Sequence, residues 1–162
     1  MTIRPATAAD VPAVLPLVSK VEAHHQRADP QKYTFRADPG TMYRGWLQRN
    51  TTDARAVFLV ADAARAGEPP RVVGFLIGTI EKEVPIYVLT EYGWVHDLWV
   101  DEAYRHEGVG RQLVMQAVER FAALGAKQVR MDVLATNEPA KALFANCGFR
   151  PSVVEMLLEV NG

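Results

Sequence analysis

Apolar positions along the chain follow two rhythms. Val11, Val14, Leu15 and Val18 recur at i, i+3, i+4 and i+7, which predicts a helix starting just after Asp10. Thr7, three residues before Asp10, has the spacing of a capping box with Asp in place of Glu. Leu113, Val114, Ala117, Val118 and Phe121 form a second helical face, with Gly125 as its C-terminal cap. Shorter apolar runs predict strands. "TIRPAT" opens the chain, "AVFLVADA" (56–63) is a buried strand, and "VVGFLIGTIE" (72–81) returns after the turn "AGEPPR" to make a hairpin. "GWVHDLWV" (93–100) is mostly apolar and therefore central. In "KQVRMDVLA" (127–135), Val129, Met131 and Val133 alternate with Arg130 and Asp132, a strand pattern. "NEPAKALFANCG" (137–148) reads as a short helix and "SVVEMLLEV" (152–160) as a closing strand. Residues 22–45 are polar and interrupted by Pro30, Pro39 and Gly40, so loop and short helix are expected there. The order is β-α, antiparallel strands, then β-α-β-α-β. This is mixed α/β, with a crossover helix between neighbouring parallel strands.

Composition narrows the function classes. The 162 residues fit one domain, 1–162, with a sizeable core. A net charge of −1 gives no overall field to hold nucleic acid or an anionic membrane. Cys147 is the only cysteine, so no internal disulfide forms, and no metal site is expected. "MTIRPATAAD" lacks the apolar core of a signal peptide, and no apolar run is long enough to span a bilayer, so a cytoplasmic location is the default.

Candidate chemistry begins at "YRHEGVGRQL" (104–113), between a central strand and a helix. The first turn of a helix has free N–H groups and a positive dipole end, which attract an anion. Gly108 and Gly110 remove Cβ atoms that would block a phosphate, and Arg105 and Arg111 add charge on either side. A Walker loop is excluded because Arg111 and Gln112 follow Gly110. A Rossmann fingerprint is excluded because Leu113 stands where its third glycine belongs.

"RHEGVG" (105–110) matches the R/Q-x-x-G-x-G/A signature of the GNAT-type N-acetyltransferase superfamily. "HDLWV" resembles its central strand, and "NEPAKALFANCGF" (137–149) resembles its N-x-x-A-x-x-L-F/Y-x-x-x-G-F landmark. The three occur in the family's order, and the resemblance covers nearly the whole chain. It implies a mixed, centrally splayed β-sheet flanked by helices, with acetyl-CoA as co-substrate in the cleft where two strands part. By similarity, the backbone of Leu98, Trp99 and Val100 pairs with the pantetheine arm. Arg105 belongs to the signature, and the amides of His106, Glu107, Gly108, Val109, Gly110 and Arg111 cradle the pyrophosphate. Asn137 hydrogen-bonds the pantetheine arm, and Phe144 lies near the sulfur. Family habit allows a homodimer.

Acetyl transfer needs a neutral amine, a polarised carbonyl and an exit for the thiolate. Family members often carry a Glu in mid-strand as base, and that place falls on His96 here. An imidazole suits the task, with a reference pKa of ~6.5. The alternative is a core histidine bonded to a neighbour. Strand alternation sends His96 and Asp97 to opposite faces, so Asp97 is expected to be structural, with Glu91 and Tyr92 as reserves. Many relatives place at Phe144 a Tyr that protonates the thiolate. Phenylalanine cannot, which leaves water or Tyr33, Tyr43, Tyr87 or Tyr92. His24 and His25 are expected to line the acceptor site or face solvent. Cys147 reads as a small buried hydrophobe. The expected acceptor is the primary amine of a small molecule such as a polyamine or aminoglycoside, attracted by Glu81, Glu83 and Glu91 to segments 22–45 and 83–93. The alternatives are a protein N-terminus or lysine as acceptor, or a catalytically silent acyl-CoA-binding module.

Overall fold

The computed structural model describes all residues except 37, 65, 66, 68, 161 and 162, which leaves part of the expected 66–71 turn outside the described residues. Strands Thr2–Pro5 (β1), Ala56–Ala63 (β2), Arg71–Lys82 (β3), Glu91–Val100 (β4) and Val129–Arg130 (β5) form one sheet in the order β1-β2-β3-β4-β5. The first four are antiparallel, and β5 runs parallel to β4. The helices are Val11–Ala28 (α1), Pro39–Asn50 (α2), Val109–Ala123 (α3) and Glu138–Asn146 (α4). Among the described residues, no helix is long and apolar enough to cross a membrane.

Strand periodicity divides the core in two. Val57, Leu59 and Ala61 of β2 point to the side of Leu113, Val114, Ala117 and Phe121 of α3. The alternate residues Phe58 and Val60 meet Val14, Leu17 and Val18 of α1 and Leu47 of α2. Because both faces of β2 are covered, its apolar run is continuous rather than alternating.

The expected capping box is present and enlarged. Asp10 accepts from the Thr7 N–H at 2.7 Å and the Thr7 hydroxyl at 2.8 Å, and Arg4 donates two 2.8 Å bonds to the same carboxylate. Arg4 also donates to Asp62 of β2 at 2.6 Å, which ties β1, the start of α1 and β2 together. The Arg4 guanidinium holds the Asp10 carboxyl well below the usual carboxylate range, against the opposing effect of burial. Asp10→Asn should therefore cost about 1–2 kcal/mol, since Arg4 is partly solvated and keeps Asp62, read as a lower urea midpoint at unchanged slope. A depressed folded-state pKa stabilises above the unfolded value of ~3.9. The contribution should be complete near neutrality and fade as pH falls through about 4 towards the folded value, and the variant should lack that acid limb.

Four sequence expectations change. Residues 22–45 are mostly helical, since α1 runs on to Ala28 and α2 begins at Pro39. Pro39 starts a helix instead of breaking one, because proline suits the first turn and the Asp38 side chain accepts from the Thr41 N–H as N-cap. β5 has two residues rather than the nine of 127–135, because past Arg130 the chain has no strand beside it. The closing segment, residues 151–160, is exposed and carries no strand. Finally, the β3–β4 register passes from Ile77↔Asp97 to Gly78↔Val95, so His96 is the extra residue of a β-bulge. Strict alternation fails there, and His96 and Asp97 both reach α2. The His96 ring lies 5.2 Å from Trp46, and the Tyr43 hydroxyl donates to Asp97 at 2.6 Å.

Candidate active site

β4 leads directly into the glycine turn. Leu98, Trp99 and Val100 pair on one side with Leu76, Phe75 and Gly74 of β3. On the other side, β5 covers only Gly93 and Trp94. The remaining edge of β4 faces no strand among the described residues, which leaves room beside it for an extended ligand, although Val100 O there accepts from Arg105. A short 3-10 turn, Glu102–Tyr104, then leads to Arg105–Gly108 and α3. His106 (φ 66°) and Gly108 (φ 81°) are both left-handed, and Gly108 relieves the strain a side chain would cause there. Side chains cap α2 and α4, but none caps α3. Its first intrahelical bond runs from the Gln112 N–H to Gly108 O at 3.0 Å, which leaves the amides of Val109, Gly110 and Arg111 without helical acceptors.

Several of the expected site residues also make contacts within the chain. A Cβ at Gly110 would stand 3.1 Å from Leu143 of α4, so this glycine lets the two helices approach. At Gly108 the nearest atom to a Cβ is 4.0 Å away, so that side of the turn is open. Arg105 turns back onto β4, donating to Val100 O at 2.9 Å with its guanidinium 4.7 Å from the Trp99 ring. It braces the strand end rather than flanking the helix mouth. Asn137 caps α4 by accepting from the Ala140 N–H at 3.1 Å, and its Nδ2 donates to His24 at 3.3 Å. Phe144 packs on Phe149, with centroids 5.7 Å apart, and on the α3-side core. Burial raises the Cys147 thiol pKa, which keeps it protonated.

Beside the open edge, His96 forms a short relay. The Thr79 hydroxyl donates to Glu81 at 2.6 Å and lies 2.7 Å from His96 Nε2. With that proton committed, Nε2–H is the donor to Thr79 and the neutral ring carries its lone pair on Nδ1. Burial lowers the His96 pKa, with opposing pulls from Asp97 and Glu81, so the neutral form dominates at pH 7.

A second group of titratable residues, mostly outside the sequence expectation, lies on the same face. Asp97 is 8% exposed, and burial raises its pKa against the Tyr43 hydrogen bond. Burial also raises Glu22 of α1, followed by the charge of Asp97, and Glu22 Oε1 is buried without a hydrogen-bond partner. Trp99 Nε1 is a second buried polar atom without a partner. His25 is pushed down by burial and stacks on Tyr33 with centroids 4.8 Å apart. By contrast, Glu83 and Glu91 are committed to Arg130 at 2.6 Å and to Arg55 at 2.7 Å. Glu81, the third expected carboxylate, accepts from Thr79, and Glu22 and Asp97 form a separate acidic pair on this face. Spacing alone could not reveal this pair, because 75 positions of chain separate it (97 − 22) and only the packing of α1 on β4 brings the two carboxylates near.

The sequence profile described as "Acetyltransferase (GNAT) family" matches residues 21–149. N-alpha-acetyltransferase 30 of Dictyostelium discoideum is 29% identical over 76 residues, 47% of this chain and 41% of that protein, so the match spans under half of that relative's length. A solved protein from Bacillus halodurans superposes with a TM-score of 0.85 at 23% identity, over 99% of this chain and 100% of that one. The aminoglycoside antibiotic 6'-N-acetyltransferase of Acinetobacter haemolyticus superposes with a TM-score of 0.71 at 20% identity, over 99% and 100%. At these identities the solved structures establish the shared fold.

Proposed function

Because the chain belongs to the GNAT acetyltransferase family, we propose that it transfers the acetyl group of acetyl-CoA to a primary amine on a small cationic molecule, such as a polyamine or an aminoglycoside. The observation that carries this reading is the half-open β4 running straight into the uncapped start of α3. Leu98, Trp99 and Val100 would hold the pantetheine arm as an added strand. The amides from His106 to Arg111 would hold the diphosphate at the dipole end of α3. Asn137 and Phe144 would border the arm from α4. Bound acetyl-CoA supplies the activated acyl thioester.

The chain's own residues supply the rest. Glu22 and Asp97 would attract a cationic acceptor, whose ammonium would satisfy the orphaned Glu22 oxygen. His96 Nδ1 would take the proton as the amine attacks, and Nε2–H stays anchored on Thr79. The Tyr43 hydroxyl is spent on Asp97, and Tyr87 is 58% exposed on the 83–90 turn, so water is the proposed proton source for the departing thiolate. A peptide N-terminus is the second reading for the acceptor, favoured by the match to an N-alpha-acetyltransferase.

The test is release of CoA thiol from acetyl-CoA across polyamines, aminoglycosides and peptides with free N-termini. Cationic small amines should turn over. Glu22→Gln should raise their KM about tenfold or more while leaving acetyl-CoA affinity, measured by calorimetry, unchanged. Turnover of peptides alone would replace the proposed acceptor. Tight acetyl-CoA binding without release from any amine would make the chain a silent acyl-CoA module.

A further inference from the structure

His24, expected at the acceptor site or in solvent, instead touches two elements that flank the open side of β4. Its ring meets the Trp99 ring edge-on, with centroids 6.1 Å apart, and its Nε2 lies 3.3 Å from Asn137 Nδ2. Trp99 belongs to the stretch of β4 that β5 does not cover, and Asn137 is the N-cap of α4. Between these two walls the sheet is unzipped, since β5 ends at Arg130 and residues 131–136 carry no strand. Among the described residues, side chains of α1 and of the loop after it bond the chain beyond β5 at two points. One is the part-buried contact of His24 with Asn137, and the other is the exposed ion pair of Lys32 with Glu155.

The valences of the Asn137 amide decide what the first contact can do. Oδ1 accepts from the Ala140 N–H at 3.1 Å, which fixes the end of the amide that carries nitrogen. Nδ2 has only hydrogens to give, so His24 Nε2 is the acceptor and the neutral ring carries its proton on Nδ1. An amide nitrogen has two N–H bonds. His24 takes one, and no acceptor among the described residues takes the other.

We propose that His24 is a positioning residue for the co-substrate, holding the Asn137 amide so that its second N–H is presented to the pantetheine arm. The proposal rests on the acetyl-CoA reading above, but not on the identity of the acceptor or of the base. Asn137 is pinned at both ends, its oxygen by the Ala140 amide and its nitrogen by His24. A side chain already fixed in this way loses little further freedom when a ligand accepts its remaining hydrogen. His24 is steadied in turn by Trp99, against which the Arg105 guanidinium also packs at 4.7 Å. The motif that begins at Asn137 carries no sign of this partner, because 113 positions separate the two residues.

Calorimetric titration of the intact chain with acetyl-CoA tests the assignment without any acceptor. His24→Ala should weaken binding about three- to tenfold, the usual worth of one neutral hydrogen bond. His24→Gln offers a side-chain oxygen to the same N–H and should bind within about twofold of the parent. Asn137→Ser keeps a capping oxygen for Ala140 but has no amide, so it should bind no better than His24→Ala. In that background His24→Ala should cost nothing further, because the two residues act as a unit. Far-UV circular dichroism checks that each variant is folded. A His24→Ala chain that binds like the parent overturns the proposal. So does His24→Gln as weak as His24→Ala, or a loss on His24→Ala that is the same with Ser at 137 as with Asn. Each of these results would make His24 a packing residue alone. A parent chain that binds no acetyl-CoA would instead remove the co-substrate reading itself, and this proposal with it.

Discussion

His96→Gln is expected to lower kcat/KM for an accepted amine by about 10²–10⁴-fold, the usual worth of a general base. Acetyl-CoA affinity should barely move, because the proposed cofactor contacts are mostly backbone. The pH profile separates a base from a structural histidine. Burial lowers the His96 pKa, so in the parent kcat/KM should fall with an inflection below the ordinary imidazole value of ~6.5. Loss of the amine's own proton adds a separate rise at higher pH. In His96→Gln the lower inflection should vanish while the upper one stays. Thr79→Val removes the hydroxyl that fixes the tautomer, and should reduce kcat more than KM while shifting that lower inflection. Equal rates and the same lower inflection in parent and His96→Gln would return His96 to a purely structural role.

The second large effect is on stability. Gly78→Ala should cost about 3 kcal/mol or more, which corresponds to a Tm lower by roughly 6–12 °C for a chain of this size. A Cβ at Gly78 would stand 2.3 Å from the backbone oxygen of Trp94 and 2.8 Å from Phe121 Cζ. Neither can yield cheaply: the first belongs to β4 beside its bulge, and the second is a fully buried ring. Gly45→Ala is the control. Its Cβ would lie 3.5 Å from the end of Arg49, inside α2, where alanine is preferred over glycine. That change should leave Tm equal or slightly higher, as thermal unfolding would report. A Tm for Gly78→Ala within a degree of the parent would mean that the β3–β4–α3 packing is not as described.

The sequence by itself determined the parts whose information is local. A 3.6-residue rhythm marks α3 wherever its face is buried, and Asp10 reads as a cap because its partner Thr7 is three residues away. The Arg105–Gly110 signature and the Asn137–Phe149 landmark are likewise contiguous, so the family was legible before any coordinate. Tertiary structure decided what depends on partners distant in the chain. β5 stops at Arg130 because a strand exists only where another lies beside it, and alternation cannot announce a missing neighbour. Gly110 carries the same signature whatever lies beside it, and only the packing of α4 on α3 shows that Leu143 does. The bulge that turns His96 and Asp97 to one face is a register shift between β3 and β4, invisible in either strand alone. Glu22 meets Asp97 because α1 crosses β4. A carboxylate's charge is written in its residue type, but its burial, and with it its altered pKa, arises only when the chain has closed around it.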